Sequence, residues 1–463
     1  MNKWLRGTNA VVLSAAVIGI FLILTIFLNS VKGFQVDLTK NKSFTLSDQT
    51  ISTLKNLNKD IHVIAFTNSG QNTFATRQVT DMIQEYKKYT NKITYDEYDM
   101  LKQPSMAKQY GVDASGTLVF ESGAQKQLVN FYDVFIPGQQ NDGSYQFSGE
   151  EKFTQAITSL SSTEKYPVYV LSGHQEIPLT QMNVLKTSLE GANYTVNDLN
   201  LLRDGKIPAD AQMLLLLGPQ NDLSDKETEL INAYLKDKGK IYIALSFNKD
   251  MATKWKNIDS IMNTYGVKDE HAVAIEPKQT TLYDPLTIIP QYGSHVITQK
   301  LSDYNLLMMM SLSISLNANP DNKDWTTTAL LNTTDKAYGE TDINLLTQSK
   351  TTQDANDVKG PLHLGYAVES ADKKPKAVIL GSSNFLVDQE IQSQGNKDFA
   401  MNSVGWLQEK KDQITIRPRQ GDAYQEALMT PAKANTIFYS TIILLPLLFL
   451  LLGGFIWWRR RRG

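Results

Sequence analysis

The chain contains no cysteine, and that one absence removes disulfides, zinc-thiolate sites, thiol nucleophiles and a lipid anchor on a modified cysteine. Stability must come from ordinary hydrophobic cores. Histidine is scarce as well: His62, His174, His271, His295 and His363 are dispersed, with no HExxH and no His-x-His pair, so no metal site is expected. No Walker A pattern and no Rossmann glycine fingerprint occurs. The chain therefore does not read as a nucleotide-hydrolysing subunit, and no cofactor is expected. An excess of basic residues is also missing, since 46 Lys and Arg stand against 48 Asp and Glu. Setting aside Lys3, Arg6 and the four terminal arginines leaves a formal charge of -8, the wrong sign for a nucleic-acid surface.

What the chain does have is two long uncharged runs. Residues 436–458 (TIFYSTIILLPLLFLLLGGFIWW) are long enough for a hydrocarbon core of about 30 Å, end in a Trp pair at interfacial depth, and precede Arg459 to Arg462. Arginines beside a span resist translocation, so the C-terminal residues 459–463 are expected in the cytoplasm. Residues 10–28 (AVVLSAAVIGIFLILTIFL) follow Lys3 and Arg6 in the mirror arrangement, with 1–9 inside. A cleaved signal peptide shares the basic start and apolar centre; the length of the run and the absence of a small-x-small site after it favour a retained anchor. The expectation is a two-pass membrane protein with both termini cytoplasmic and residues 29–435 outside.

Between the runs the composition, 41% hydrophobic and 20% charged, is that of globular protein, with room for two domains. In the first, 36–162, Ser47 is a natural N-cap with Leu46 and Ile51 at staple positions. Strands are expected at 61–66, 92–98, 117–120 and 126–131. Helices are expected at 76–88, with Val79, Met82, Ile83 and Tyr86 on one stripe, and at 104–110 and 150–162. This is a small α/β layer, thioredoxin-like in outline, and without CxxC it has no thiol redox chemistry.

The second domain, 165–412, alternates strands at 167–171, 194–199, 213–217 and 240–245 with helices at 181–189 and 225–238. Ser224 and Glu227 form a capping box, Leu230, Ile231, Tyr234 and Leu235 give the apolar face, and Gly239 ends the second helix. Such alternation implies a parallel, doubly wound sheet. Residues 265–361 interrupt it with Pro-, Asn- and Thr-rich sequence of no clear period; the run 306–316 (LLMMMSLSISL) within them is too short to span and fits a core. Regularity resumes with a strand at 376–380 and a helix at 398–407, and 413–435 reads as an extended stalk to the second span.

Several of these segments together carry a resemblance: VDLTKNKSFTLSDQT after the first run, VYVLSGHQE at 168–176, the stretch 214–245, AVILGSSNFL, GNKDFAMNSVGWL, and the C-terminal stalk and run. They resemble the gliding-motility-type family of ABC-transporter auxiliary membrane proteins. The resemblance implies a flavodoxin-like or amidotransferase-like sheet domain, ABC permease and ATPase subunits as partners, and no ATPase activity in this chain. Fold likeness alone does not supply a function.

In a doubly wound sheet, ligands sit beyond the carboxyl ends of the strands. Four segments fall there, 172–176, 218–222, 246–248 and 381–384, and their polar residues Ser172, His174, Glu176, Gly218, Asn221, Asn248, Ser382 and Asn384 are candidate ligand contacts. The bland alternative is that these are tight strand-to-helix turns. Ser172, His174 and Glu176 are nucleophile, base and orienter by type, but so close on one turn they suit turn-fixing better than catalysis. The expected function is a non-catalytic auxiliary subunit of an ABC transport complex whose outer domain binds or guides a substrate, small molecule or envelope polymer. The alternative is a membrane-tethered hydrolase of an envelope polymer.

Overall fold

The alternating periods become two mixed α/β layers in a computed structural model. It describes residues 45–409 apart from 69–72, 138–144, 163, 238, 278–283, 304, 320–321, 323, 348–351 and 394, together with 19–20, 23, 419–421, 438–440 and 445–462. Contacts divide the chain into Met1–Ser47 and Asp48–Gly463. In the first unit Gly19, Ile20 and Ile23 are helical.

The second unit starts with α1 (Asp48–Lys55) and continues through β1 (Ile61–Thr67), α2 (Thr73–Lys87), β2 (Ile93–Asp99), α3 (Pro104–Tyr110), β3 (Thr117–Ser122), β4 (Gln125–Asn130) and α4 (Gly149–Ser161). Strands β1 and β2 are parallel because α2 crosses over between them, while β3 and β4 join antiparallel, giving the order β2-β1-β3-β4. The α2 stripe of Val79, Met82, Ile83 and Tyr86 is buried as its spacing requires. Phe153 of α4 meets Phe120 of β3 with ring centroids 5.4 Å apart, which closes the layer.

Next come β5 (Tyr166–Leu171), α5 (Asn183–Gly191), β6 (Tyr194–Leu199), β7 (Met213–Leu217), α6 (Asp225–Asp237), β8 (Ile241–Ala244) and α7 (Asn257–Thr264). Beyond them lie β9 (Val267–Ile275), β10 (Ile314–Ala318), β11 (Trp325–Asn332), β12 (Tyr338–Glu340), β13 (His363–Ser370), β14 (Pro375–Leu380) and α8 (Asn396–Leu407). The parallel strands run β6-β5-β7-β8-β14, which is 2-1-3-4-5 in chain order, the flavodoxin-like doubly wound order. The central MLLLL of β7 is buried on both faces, as a covered parallel strand must be. On one face Met213, Leu215 and Leu217 pack with Leu185 and Leu189 of α5 and Phe399 and Val404 of α8. On the other, Leu214 and Leu216 pack with Ile231 and Leu235 of α6 and Ile258 and Ile261 of α7.

Past β14 the sheet continues with antiparallel strands, β13 and then those of residues 265–361, which have no readable period: β13 pairs β14, β10 and β11 pair β13, and β9 lies between β10 and β12. Met308, Met310, Ile314 and Leu316 of the LLMMMSLSISL run are fully buried core residues. Of the expected stalk, Arg419–Gly421 is described, and it is a strand antiparallel to Tyr145–Phe147, which also pairs Phe135–Pro137, in a separate three-stranded sheet. Among the described residues no helix is long and apolar enough to cross a membrane. The expected span 10–28 lies outside the described residues except at 19, 20 and 23, as does much of the first half of 436–458. The described final helix, Leu445–Arg462, holds four arginines in its last turn.

Candidate functional site

The direction of winding reverses between β5 and β7, so their carboxyl ends flank the position where doubly wound sheets bind ligands. All four candidate segments follow parallel strands, and hydrogen bonds join three of them into one lattice. The His174 carbonyl accepts from the Gln220 and Asn221 amides at 2.9 and 3.0 Å. Gln220 Nε2 donates to Ser246 Oγ at 2.8 Å, and Asn248 Nδ2 to the Gln220 carbonyl at 2.6 Å. Ser382 and Asn384 instead turn to residue 311: Ser382 Oγ donates to its carbonyl at 2.7 Å and Asn384 Nδ2 to its hydroxyl at 3.3 Å.

His174 is the centre of this lattice. Its Nδ1 lies 2.9 Å from Glu176 Oε1 and its Nε2 3.0 Å from Glu227 Oε2, while its own amide donates to Glu176 Oε2 at 2.7 Å. Glu227 is the third residue of α6 and closes the capping box: the Ser224 amide and hydroxyl donate to Glu227 Oε2 at 2.9 and 2.7 Å, and the Glu227 amide donates back to Ser224 Oγ at 3.3 Å. The three side chains are 6%, 5% and 2% exposed. A neutral imidazole has a single N–H, so bonds from both nitrogens to carboxylates call for the imidazolium. Burial pulls the His174 pKa down, but hydrogen bonds and charge from Glu176 and Glu227 outweigh it and leave the group above its ordinary value. For Glu227, burial raises the pKa, and the Ser224 and His174 bonds overcome this and hold it low.

This geometry bears on the two readings of SGHQE and favours turn-fixing. A base for Ser172 needs a ring nitrogen open to its hydroxyl, and both are occupied by carboxylates. The Ser172 amide is itself tied to the Leu199 carbonyl at 3.0 Å. What the triad does is pin the β5 turn to the start of α6. Packing at Gly218 is close too: a Cβ there, where φ is +71°, would lie 2.7 Å from Ser383 Oγ and 2.8 Å from Ile177 Cγ1. Only glycine fits there. Asp222 caps α7, accepting from the Lys256, Asn257 and Ile258 amides at 2.8 to 2.9 Å.

Glu227 is legible in sequence as a cap but not as the partner of His174, because 53 residues separate them. A second group is brought together only by the fold. Asp259 on α7 and Asp269 and His271 on β9 bring three side chains together, each offering one donor atom, all within 4.8 Å of one another. Burial, aided by the charge of Asp269, pushes the Asp259 carboxyl up to about 7. Burial likewise pushes Asp269 up to about 7. The D-x-H pair was visible, but nothing in the spacing ties it to a residue on the preceding helix.

A family model described as an ABC-type uncharacterized transport system matches residues 165–403, just over half of the chain, and a domain of unknown function matches 40–136. No curated protein matches. Among solved structures, the mmIFT52 N-terminal domain superposes with a TM-score of 0.41 at 15% identity, over 53% of this chain and 100% of that one. The NTD_N/C domain of alkylhydroperoxide reductase AhpF from Enterococcus faecalis gives a TM-score of 0.19 at 11% identity, over 34% of this chain and 79% of that one. Scores this low support no argument about fold or function.

Proposed function

The chain belongs to the ABC-type uncharacterized transport system family, and from that membership we propose that it is a non-catalytic auxiliary subunit working beside an ABC permease and ATPase. In this reading the runs 10–28 and 436–458 anchor it in lipid with both termini cytoplasmic, and 29–435 face outward to bind or guide a substrate or envelope component. The uncharged sequence of both runs, with Lys3 and Arg6 before one and four arginines after the other, supports that topology. The gliding-motility-type motifs suggest a narrower place within the family. The observation that carries the proposal is the match over 165–403, the domain in which His174 is committed to two carboxylates. Purification of the tagged full chain from native membranes in several mild detergents tests it. ABC permease and ATPase subunits are expected to co-elute; their absence under every condition sinks the proposal.

A further inference from the structure

We propose that Asp259, Asp269 and His271 form a binding site for a divalent first-row transition ion, zinc or a neighbour such as cobalt or manganese. Strand β9 runs beside α7: Val267 and Val273 share a core cluster with Ile258, Ile261 and Met262 of that helix, and between them the strand bulges after Asp269, with His271 at a φ of +52°. At this bulge Asp269 and His271 meet Asp259 across the helix-strand interface, with their donor atoms within 4.8 Å of one another. His271 Nε2 stands 3.1 Å from Asp259 Oδ2 and 3.8 Å from Asp269 Oδ2. Those separations bracket the edge of about 3.4 Å that a tetrahedral ion with bonds of about 2.1 Å sets between its ligands.

One buried oxygen points to a cation as its partner. The Asp269 side chain is 0% exposed, and its Oδ2, the atom facing His271, has no hydrogen-bond partner among the described residues. Asp259 Oδ1 has none either. Neither carboxylate has a Lys or Arg ion-pair partner among the described residues, so one imidazole faces two carboxylates. A buried carboxylate oxygen without donor or counter-ion is costly, and a metal ion between His271 Nε2 and Asp269 Oδ2 supplies what the Asp269 oxygen lacks. One imidazole nitrogen with two carboxylate oxygens suits zinc and its neighbours better than calcium or magnesium, which prefer all-oxygen shells. Three protein ligands leave a position open for water or a ligand atom.

The test uses the full-length protein in detergent, stripped with a chelator and titrated calorimetrically with zinc, cobalt and manganese, with unfolding temperature followed in parallel. One equivalent of zinc or cobalt is expected to bind and raise that temperature. Asp269→Asn and His271→Asn should each weaken binding by at least about 100-fold, since even residues behind a metal ligand are worth 10- to 100-fold. Asparagine tolerates the φ of +52° at position 271, so this variant serves if Asp269→Asn does not fold. Metal-free Asp269→Asn should unfold no lower than the metal-free parent, because it removes a buried charge. Absence of saturable binding by all three ions would overturn the site, as would unchanged binding in the folded variants.

Discussion

Replacing His174 with alanine removes the one group shared by Glu176 and Glu227. Two charge-assisted hydrogen bonds, 2.9 and 3.0 Å long, are lost at a site where the carboxylate side chains are 5% and 2% exposed. Each such bond is worth about 1.5 to 3 kcal/mol, and stripping one partner from a buried ion pair costs about 3 to 5 kcal/mol. We expect a loss in that range, a large fraction of the total of about 5 to 15 kcal/mol that holds a domain together. In unfolding temperature this is a drop of about 10 °C for a domain of this size. The loss depends on pH with a definite sign. The His174 pKa is raised in the fold, so its contribution is complete below 6.5 and fades as pH climbs through the folded value. The Glu227 pKa is lowered, so its contribution is present above 4.5 and fades as pH falls through the folded value. The gap between parent and His174→Ala should be widest between 4.5 and 6.5 and narrow on either side. Trp255, 2% exposed in the large-domain core, reports that domain's unfolding by fluorescence. A gap under about 1 kcal/mol at pH 6, or one that stays flat from pH 4.5 to 8, would refute the imidazolium bridge.

Gly218→Ala should destabilise the large domain by about 2 to 4 kcal/mol, combining the cost of a left-handed backbone with overpacking against Ile177 and Ser383, measurable by the same fluorescence transition. His295 is held neutral by burial, with its pKa lowered to about 4, and its Nδ1 accepts from the Ile297 amide at 3.2 Å. Unfolded histidine takes a proton that the folded one refuses, so stability should fall as pH drops from 6.5 toward 4, and His295→Asn should flatten that slope. Lys397→Ala breaks the 2.9 Å pair with Glu151, whose side chain is 5% exposed, between α8 and α4. Limited proteolysis should then cut faster between α4 and β5 than in the parent.

Strands and helices with a strong period could be read directly: 194–199 and 213–217 lie within their expected bounds, and the Ser224 and Glu227 capping box has the predicted reciprocal bonds. These features are local, set by side chains three or four residues apart. The antiparallel extension is not local. β9 finds its partner β10 more than forty residues on, through short strands in which polar side chains break the alternation. The site divides the same way. Strand ends can be placed once the winding is known, and this located His174 and Glu176. What His174 does depends on Glu227, and what Asp269 and His271 do depends on Asp259, each contributed by a separate helix.

The most direct test of the transport-subunit reading is contact in the intact cell. Photo-reactive residues placed at Tyr132 and Val296, 87% and 67% exposed, keep the core intact while sampling both layers of the body. After illumination, adducts from at least one position should contain an ABC permease or ATPase subunit, identified by mass spectrometry. Adducts confined to this chain and to proteins outside any ABC system would contradict the account.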